Sequence, residues 1–195
     1  MSDDPIAKFH QWWEAVIRDV QPKHRGAMCL STVADNGMPS ARFVALKTAD
    51  ARGFLFCTWF NSRKGQELAR HPHAALTFWW EEKGWQVRVE GVIAPVSAQE
   101  SDAAWHDRSR DAQLTTVCFQ QSQPLATEAE LEVRLQQARQ QYEGQPVPRP
   151  AQWGGLRVVP QSLEFLTFRD NRLHLREYFS RATPQSDWEK RLLQP

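Results

Sequence analysis

Cationic side chains gather at one predicted strand–turn–helix junction in the first third of the chain. Arg42-Phe43-Val44-Ala45-Leu46-Lys47 is predicted as a strand, and Ser62-Arg63-Lys64 begins a helix after the next strand. The Ser62 hydroxyl can cap this helix by accepting a hydrogen bond from a free amide of its first turn. Arg63 and Lys64 then oppose the helix dipole, at a cost of about 0.3–1 kcal/mol each. A bound anion would remove that cost. We therefore predict an anion site here, with two solvated surface cations as the alternative.

A second row of polar side chains lies in the last quarter of the chain. A strand is predicted over 172–179, and its alternation would point Arg172, His174 and Arg176 to one face. Like charges in such a row are unfavourable without a counter-anion or a polar ligand. The row is therefore a candidate ligand contact, and a solvated edge strand is the alternative.

Composition limits the classes of partner. The 195 residues, compatible with one domain over 1–195, include 24 Lys plus Arg against 23 Asp plus Glu, so no overall field attracts nucleic acid or a membrane. No apolar run approaches the ~20 residues of a membrane span. The first five residues lack the pattern of a signal peptide, so none is expected. Cys29, Cys57 and Cys118 have neither metal-binding nor redox spacing, which favours a reducing cytoplasm and no metal site.

The predicted elements are mainly strands. Helices are predicted after Asp4-Pro5, from Ser62 to His71, from the Ser97/Glu100 capping box to about Arg108, and from a Thr127/Glu130 capping box to before Gly144. Strands are predicted at 27–33, 40–48, 53–59, 73–80, 85–94, 155–159, 162–168, 172–179 and 187–193. Consecutive short strands indicate a mainly β fold, an antiparallel barrel with peripheral helices. The chain has no G-x-G-x-x-G, which argues against a Rossmann site.

Five motifs occur in an order that resembles the pyridoxine/pyridoxamine 5'-phosphate oxidase family. They are the R-x-V-x-L-K run from Arg42, Ser62-Arg63-Lys64, the run 86–91, W-G-G-x-R from Trp153 and R-L-H-x-R from Arg172. The resemblance implies an FMN-binding split barrel that works as a homodimer, with flavin between the subunits and 151–195 as the dimerisation region. It implies oxidation of pyridoxine or pyridoxamine phosphate to pyridoxal phosphate, with dioxygen reduced to hydrogen peroxide.

The resemblance also implies roles for single residues. The FMN phosphate would be held by Arg42, Thr58, Ser62, Arg63 and Lys64, and other cofactor-binding positions are Phe43, Val44, Lys47, Cys57, Gln86, Gln121, Ser122 and Arg176. The substrate phosphate would be held by Lys47 and Arg108, and the catalytic pair against the substrate ring would be Arg172 and His174. The cofactor would carry the chemistry, and these residues would bind and orient.

The chain departs from the family pattern around the expected substrate phosphate. Ala104, Arg108 and Ala112 lie at successive i+4 steps, on one face if the helix continues. The family usually has Tyr at the first of these positions and Ser at the third. We therefore expect an altered substrate site that lacks two hydroxyl donors.

Three further departures concern the flavin surroundings. Leu166 stands where the family has an aromatic residue, Cys57 replaces a Tyr, and Trp85 precedes Gln86 where Arg is common. Two alternatives to the phosphate oxidase therefore remain. One is a flavin oxidase of the same fold that acts on another ring compound, as phenazine-pathway oxidases do, and the other is an idle flavin- or pyridoxal-phosphate-binding protein.

Overall fold

The computed structural model describes residues 4–195. Its helices are α1 (Pro5–Asp19), α2 (Arg63–Arg70), α3 (Ala98–His106), α4 (Arg110–Cys118) and α5 (Ala129–Gln141). Its strands are β1 (Ala27–Val33), β2 (Pro39–Asp50), β3 (Gly53–Trp59), β4 (His73–Trp80), β5 (Trp85–Pro95), β6 (Trp153–Thr167), β7 (Leu175–Ser180) and β8 (Glu189–Leu193). None of the helices within 4–195 is long and apolar enough to cross a membrane.

The strands form a closed antiparallel barrel. The hydrogen-bonded order is β3-β2-β1-β4-β5-β6, and pairing of β3 with β6 closes these six strands, while β7 and β8 extend the sheet beyond β6. This confirms the predicted antiparallel barrel with peripheral helices. The closed ring leaves β2 and β3 next to one another on one side, where they carry the first group of predicted site residues.

The barrel core is built from aromatic side chains that α1 inserts between the strands. Phe9 is fully buried, and its ring centroid lies 4.9 Å from that of Phe54 and 5.1 Å from that of Phe78. The Asp4 carboxylate caps α1 by accepting from the amide of Ile6, as the Asp4-Pro5 signal predicts. Burial of this apolar face fixes α1 against the barrel.

A second buried cluster holds α3, α4 and α5 beside the start of β6. Trp105, Leu114, Ala138, Val147 and Trp153 form this cluster, in which the two indole rings meet edge to face with centroids 5.0 Å apart. The Trp105 indole N–H donates to the carbonyl oxygen of Val147 at 2.9 Å. The cluster therefore fixes the turn between α3 and α4, where Arg108 lies.

Two predicted strands are one element. The strands expected near 155–159 and 162–168 are the continuous 15-residue β6. The register with β5 shifts where Glu90 pairs with Ser162 and Gly91 pairs with Pro160. This β-bulge accommodates Pro160, which cannot donate to the ladder, without ending the strand.

The helix predicted from Ser97 to about Arg108 stops earlier than expected. Its capping box is present, with Ser97 and Glu100 bonded reciprocally, but α3 ends at His106. A separate helix, α4, then begins behind Ser109, whose hydroxyl accepts from the amide of Ala112. The apolar positions of α4 are few and weakly periodic, so the sequence does not predict it as a separate helix.

The prediction of a Thr127/Glu130 capping box is wrong. Helix α5 begins at Ala129, and Glu128 at its N-cap position makes no side-chain capping bond. The helix itself was predicted, because its length and its end before Gly144 follow from the sequence pattern.

The predicted start of the strand over 172–179 is also wrong. Strand β7 begins at Leu175, and Arg172 has a φ of 62°, in the left-handed region. The Arg172 amide donates to the carbonyl oxygen of Arg169 at 3.0 Å, and the Asn171 side chain accepts from the Leu173 amide at 3.0 Å. Residues 169–172 therefore form a turn, and the alternation that put Arg172, His174 and Arg176 on one strand face does not hold.

A glycine in its first turn lets α2 approach the end of β3. A Cβ on Gly65 would lie 2.2 Å from the carbonyl oxygen of Phe60 and 2.6 Å from that of Trp59. Both contacts are to backbone, so a side chain here must displace the beginning of α2. Gly65 thus places Lys64 and its neighbours against the barrel.

Replacing Gly65 with Ala should destabilise the protein although Ala favours helix by about 1 kcal/mol. We expect a loss of about 1–3 kcal/mol in the free energy of unfolding, because overpacking against backbone outweighs propensity. Urea unfolding followed by Trp fluorescence, at one fixed protein concentration, measures it. Gln66→Ala on the same helix is the control and should change stability little. A Gly65→Ala variant as stable as the control would contradict the close approach.

Candidate functional site

A cavity of about 580 Å³ opens between β2, β3, α2 and the α3–α4 region. Nine of the residues predicted for cofactor or substrate line it: Arg42, Phe43, Val44, Lys47, Cys57, Thr58, Lys64, Arg108 and Gln121. Sequence reasoning did not assign the other lining residues, which are Ala45, Trp59, Thr115, Thr116, Phe119 and Trp153. The volume lies within the ~300–1,000 Å³ usual for small-molecule sites.

Lys64 is a buried cation at this cavity. Its side chain is 7% exposed, and its ammonium group donates to Gln121 Oε1 at 2.6 Å and to Ser62 Oγ at 3.4 Å. Among residues 4–195 it makes no ion pair with a carboxylate. Burial, and then the positive charge of Arg42, lower its pKa from 10.5 to about 8, while Glu67 acts in the opposite direction. The ammonium group is therefore protonated at neutral pH but poorly compensated, as a site for an anion requires.

Arg42 and Arg63 share one buried carboxylate. Glu67 Oε2 accepts from Arg42 Nη2 at 3.2 Å and from the hydroxyls of Thr32 and Ser40, and Glu67 Oε1 accepts from Arg63 Nε at 2.9 Å. Burial alone would raise the pKa of Glu67, but the hydrogen bonds from Thr32, Ser40 and Arg63 and the charge of Arg42 lower it to about 2. Glu67 is thus ionised across the physiological range.

The N-terminus of α2 has the predicted cap. The Ser62 hydroxyl accepts from the amide of Gly65 at 3.4 Å and donates to the carbonyl oxygen of Trp59 at 2.7 Å. The Arg63 amide donates to Ser122 Oγ at 3.3 Å, which brings the loop after α4 to this end of the helix. The Arg63 side chain is 64% exposed and lines a neighbouring surface depression rather than the cavity. Arg42 and Lys64 therefore face the cavity, and Arg63 stands at its outer side.

Arg108 is the second poorly compensated cation. Its guanidinium lies 5.7 Å from the centroid of the Trp105 ring and 5.1 Å from that of Trp153. Nη2 donates to the carbonyl oxygen of Ala112 and to Thr116 Oγ1, both at 2.9 Å, whereas the buried Nε has no hydrogen-bond partner. Burial lowers the pKa of this guanidinium. Arg108 makes no ion pair within the described chain, so an anionic ligand would compensate its charge.

Ala104 and Ala112 do not line the cavity. They are expected to share a face with Arg108 only if the helix continues, and it does not, because the chain leaves the helix between His106 and Arg110. Thr115 and Thr116 of α4 line the cavity instead, and Thr116 Oγ1 accepts from Arg108. The unpredicted helix therefore places polar groups next to Arg108 that the sequence pattern did not reveal.

Cys57 is not poised as a nucleophile. Burial raises the pKa of its thiol, although the charges of Lys47 and Arg108 oppose that shift. A thiol with a raised pKa stays protonated at neutral pH, and the thiolate is the reactive form. Cys57 therefore supplies no activated thiol, and the cations of the cavity suit it to binding and orienting an anionic molecule.

Gln86, Arg172, His174 and Arg176 lie in a different part of the molecule. Gln86 pairs across β5 and β6 with Leu166, which pairs across β6 and β7 with Arg176. Arg176 Nε donates to Glu164 Oε1 at 2.7 Å, and His174 Nδ1 accepts from the Arg169 amide at 3.1 Å. None of the four lines the cavity. We call Gln86, Arg172, His174 and Arg176 the distal group.

The length of β6 separates the distal group from the cavity. Thr58 at the cavity pairs with Gly154, and Leu166 of the same strand is twelve residues further on. At about 3.3 Å per residue this corresponds to about 40 Å of strand. Within one subunit the two groups therefore lie towards opposite ends of β6, and the distal group does not line the cavity.

Two family models match the chain. The model described as pyridoxamine 5'-phosphate oxidase matches residues 14–142, and that of the pyridoxine 5'-phosphate oxidase C-terminal dimerisation region matches 153–195. A pyridoxine/pyridoxamine 5'-phosphate oxidase of Myxococcus xanthus is 45% identical over 98% of this chain and 92% of its own length. A protein of the same name from Thermosynechococcus vestitus is 46% identical over 100% of this chain and 90% of its own length.

Solved structures share the fold. PhzG from Burkholderia lata, determined with tetrahydrophenazine-1-carboxylic acid, superposes with a TM-score of 0.91 at 30% identity, covering 100% of this chain and 94% of that one. A pyridoxamine 5'-phosphate oxidase-related, FMN-binding protein of Nostoc punctiforme has a TM-score of 0.80 at 20% identity over the full length of both chains. With the family model over residues 14–142 and relatives 45–46% identical over nearly the whole sequence, the chain belongs to the pyridoxamine 5'-phosphate oxidase family.

Proposed function

We propose that the protein is an FMN-dependent oxidase that converts pyridoxamine or pyridoxine 5'-phosphate to pyridoxal 5'-phosphate and reduces dioxygen to hydrogen peroxide. The observation that carries this proposal is the pair of poorly compensated cations, Lys64 and Arg108, in one cavity. Two such cations suit two phosphate groups, one on the cofactor and one on the substrate. The family membership supplies the reaction class.

The FMN phosphate is assigned to the α2 side of the cavity. Lys64, Arg42 and Arg63 would supply the charge, and Thr58 and Ser62 their hydroxyls. Charge-assisted hydrogen bonds of this kind contribute about 1.5–3 kcal/mol each. The remaining proposed cofactor contacts from this subunit are Phe43, Val44, Lys47, Cys57, Gln121 and Ser122. When bound, FMN supplies two-electron oxidation of the substrate and reoxidation by dioxygen.

The substrate phosphate is assigned to Lys47 and Arg108. The two indoles beside Arg108 fix its guanidinium, and Thr116 bonds to one of its nitrogens, so little side-chain freedom remains to be lost on binding. The unpartnered Nε marks a donor that a phosphate oxygen can satisfy. Arg108 would therefore orient the substrate by its phosphate, at a distance from the reacting carbon.

The proposed working unit is a homodimer. Because about 40 Å of strand separates the distal group from the cavity of its own subunit, we assign Gln86, Arg172, His174 and Arg176 to the cavity of the partner subunit. Phe43 at the cavity rim is 76% exposed and Leu173 in the distal turn is 61% exposed, as expected of surfaces that a partner covers. The match of 153–195 to a dimerisation region supports the proposal that 151–195 contributes to the dimer interface.

An oxidase for an unphosphorylated ring compound is the second candidate. The likeness to PhzG favours it. Ala104 and Ala112 do not, although the family usually has hydroxyl side chains at these positions, because neither residue lines the cavity. Thr116 at the cavity weighs against the second candidate, since its hydroxyl lies beside Arg108.

Peroxide release with a substrate panel tests the function. We expect the FMN-loaded protein to form one hydrogen peroxide per pyridoxal phosphate from pyridoxamine phosphate, and to turn over unphosphorylated pyridoxamine much more slowly, because Arg108 then lacks its anion. Faster turnover of an unphosphorylated ring compound would support the second candidate. Bound flavin without turnover of any member of the panel would instead indicate a binding protein.

The affinity for FMN should fall above pH 8. The pKa of Lys64 is lowered to about 8 in the free protein, and a bound phosphate stabilises the charged form, so binding takes up a proton as the pH rises past this value. The dissociation constant should then increase up to about tenfold per pH unit, because one proton is linked to binding. Fluorescence titration of the apoprotein between pH 7 and pH 9.5 measures it.

Riboflavin, which has no phosphate, is the control for flavin ionisation in that titration. Lys64→Arg should flatten the FMN curve, because the guanidinium stays charged. A wild-type FMN curve parallel to that of riboflavin would contradict the assignment of Lys64 to the phosphate.

A further inference from the structure

We propose that Glu67 is a positioning residue that fixes Arg42 and Arg63 for recognition of the flavin phosphate, an inference that rests on the proposed FMN site. Nothing in the motif pattern assigned Glu67 a role. Its carboxylate does not line the cavity but lies behind Arg42, between the barrel and α2.

The Glu67 carboxylate joins three elements through four donors. Thr32 of β1, Ser40 and Arg42 of β2 and Arg63 of α2 all donate to it, the last two at 3.2 and 2.9 Å. The carboxylate is 7% exposed, so water competes little for these bonds. One side chain thus sets the position of both cations relative to the barrel.

The same hydroxyls also hold Arg42 directly. Arg42 Nη1 donates to Thr32 Oγ1 at 2.5 Å and to the carbonyl oxygen of Leu30 at 3.2 Å, and Nη2 donates to Ser40 Oγ at 2.5 Å. Each hydroxyl accepts from Arg42 and therefore donates its own proton to Glu67. The network is complete only with an acceptor at the Glu67 position. Burial acts to raise the pKa of Glu67, but its donors lower it to about 2.

Charge balance favours this role over a purely structural one. Arg42, Arg63 and Lys64 bring three positive charges and Glu67 one negative charge, so the cluster carries 3 − 1 = +2. A phosphate monoester carries about −1.5 to −2 at pH 7. Glu67 therefore reduces the repulsion among the cations and leaves the net charge that a phosphate dianion neutralises.

The substitution Glu67→Gln gives a specific expectation for Arg63. A glutamine has one acceptor oxygen, and the three donors at the Oε2 position, from Thr32, Ser40 and Arg42, would take it. Its amide N–H₂ would then face Arg63 Nε, donor against donor. Arg63 loses its anchor while Arg42 stays near its place, so one of the phosphate cations becomes mobile.

Flavin titrations of the apoprotein test the proposal. We measure dissociation constants for FMN and for riboflavin, which shares the ring system and lacks the phosphate. Glu67→Gln should weaken FMN binding about tenfold and leave riboflavin binding unchanged, because the altered cation contacts only the phosphate. Arg63→Ala should cost a similar factor, and the double variant should cost no more than either single one, since both changes remove the same interaction.

Two further variants make the test decisive. Asp35→Asn removes an exposed carboxylate that pairs with Arg70 of α2, the helix that carries Glu67. It should leave the dissociation constants of both flavins unchanged. Ser40→Ala keeps the carboxylate but removes one of its donors, and it should weaken FMN binding about threefold. This variant replaces Glu67→Gln in the test if Glu67→Gln does not fold.

An FMN-to-riboflavin affinity ratio unchanged in Glu67→Gln, or in Ser40→Ala if the first variant is unfolded, would overturn the positioning role. Equal losses for both flavins would overturn it too, since they indicate a general structural effect. A wild-type protein that binds FMN no better than riboflavin would overturn the proposed phosphate site itself, a result distinct from the other two.

Discussion

The pairing of β6 with three different strands is the constraint on which the rest of the structure depends. At its beginning β6 bonds to β3 and closes the barrel, along its length it bonds to β5, and at its end it bonds to β7. The same strand therefore holds the cavity wall at Trp153 and the neighbours of Gln86 and Arg176 at its other end. Its length keeps the two groups at opposite ends of one strand, which is why the proposed site draws on a second copy of the chain.

The charges at the cavity follow a common physical scheme. A buried cation is unfavourable unless something compensates it, and this chain compensates its cations only in part. Indole rings and one hydroxyl surround Arg108, an amide oxygen contacts Lys64, and a single carboxylate serves both Arg42 and Arg63. The protein thus holds donors in place before any ligand arrives, and in the proposed function a phosphate would complete the contacts that the fold leaves open.

The barrel and most of the residues that line the cavity could be predicted from the sequence alone. The strand pattern of the sequence located β1, β3 and β4 to the residue, and the cations around Ser62 predicted an anion site because their cost is local. The predicted elements were wrong where tertiary contacts, rather than the local sequence, determine the backbone conformation. Pro160 sits in a bulge inside β6 because its neighbours continue the ladder, and α4, which places Thr115 and Thr116, is held by the Trp105 cluster rather than by its own periodicity. Arg172 lies in a turn although its sequence alternates like a strand.

Co-expression of two variants, each defective in one of the two groups, tests the shared site most directly. One chain carries Lys64→Ala at the cavity and the other carries Arg172→Ala in the distal group, each with a different affinity tag. Each variant alone should be nearly inactive. If the distal group completes the partner's cavity, each mixed dimer contains one unaltered site, and random pairing should restore about 25% of wild-type peroxide release, because half of the dimers are mixed. Activity no higher than that of the separate variants, with mixed dimers isolated through both tags, would show that each chain builds its own site.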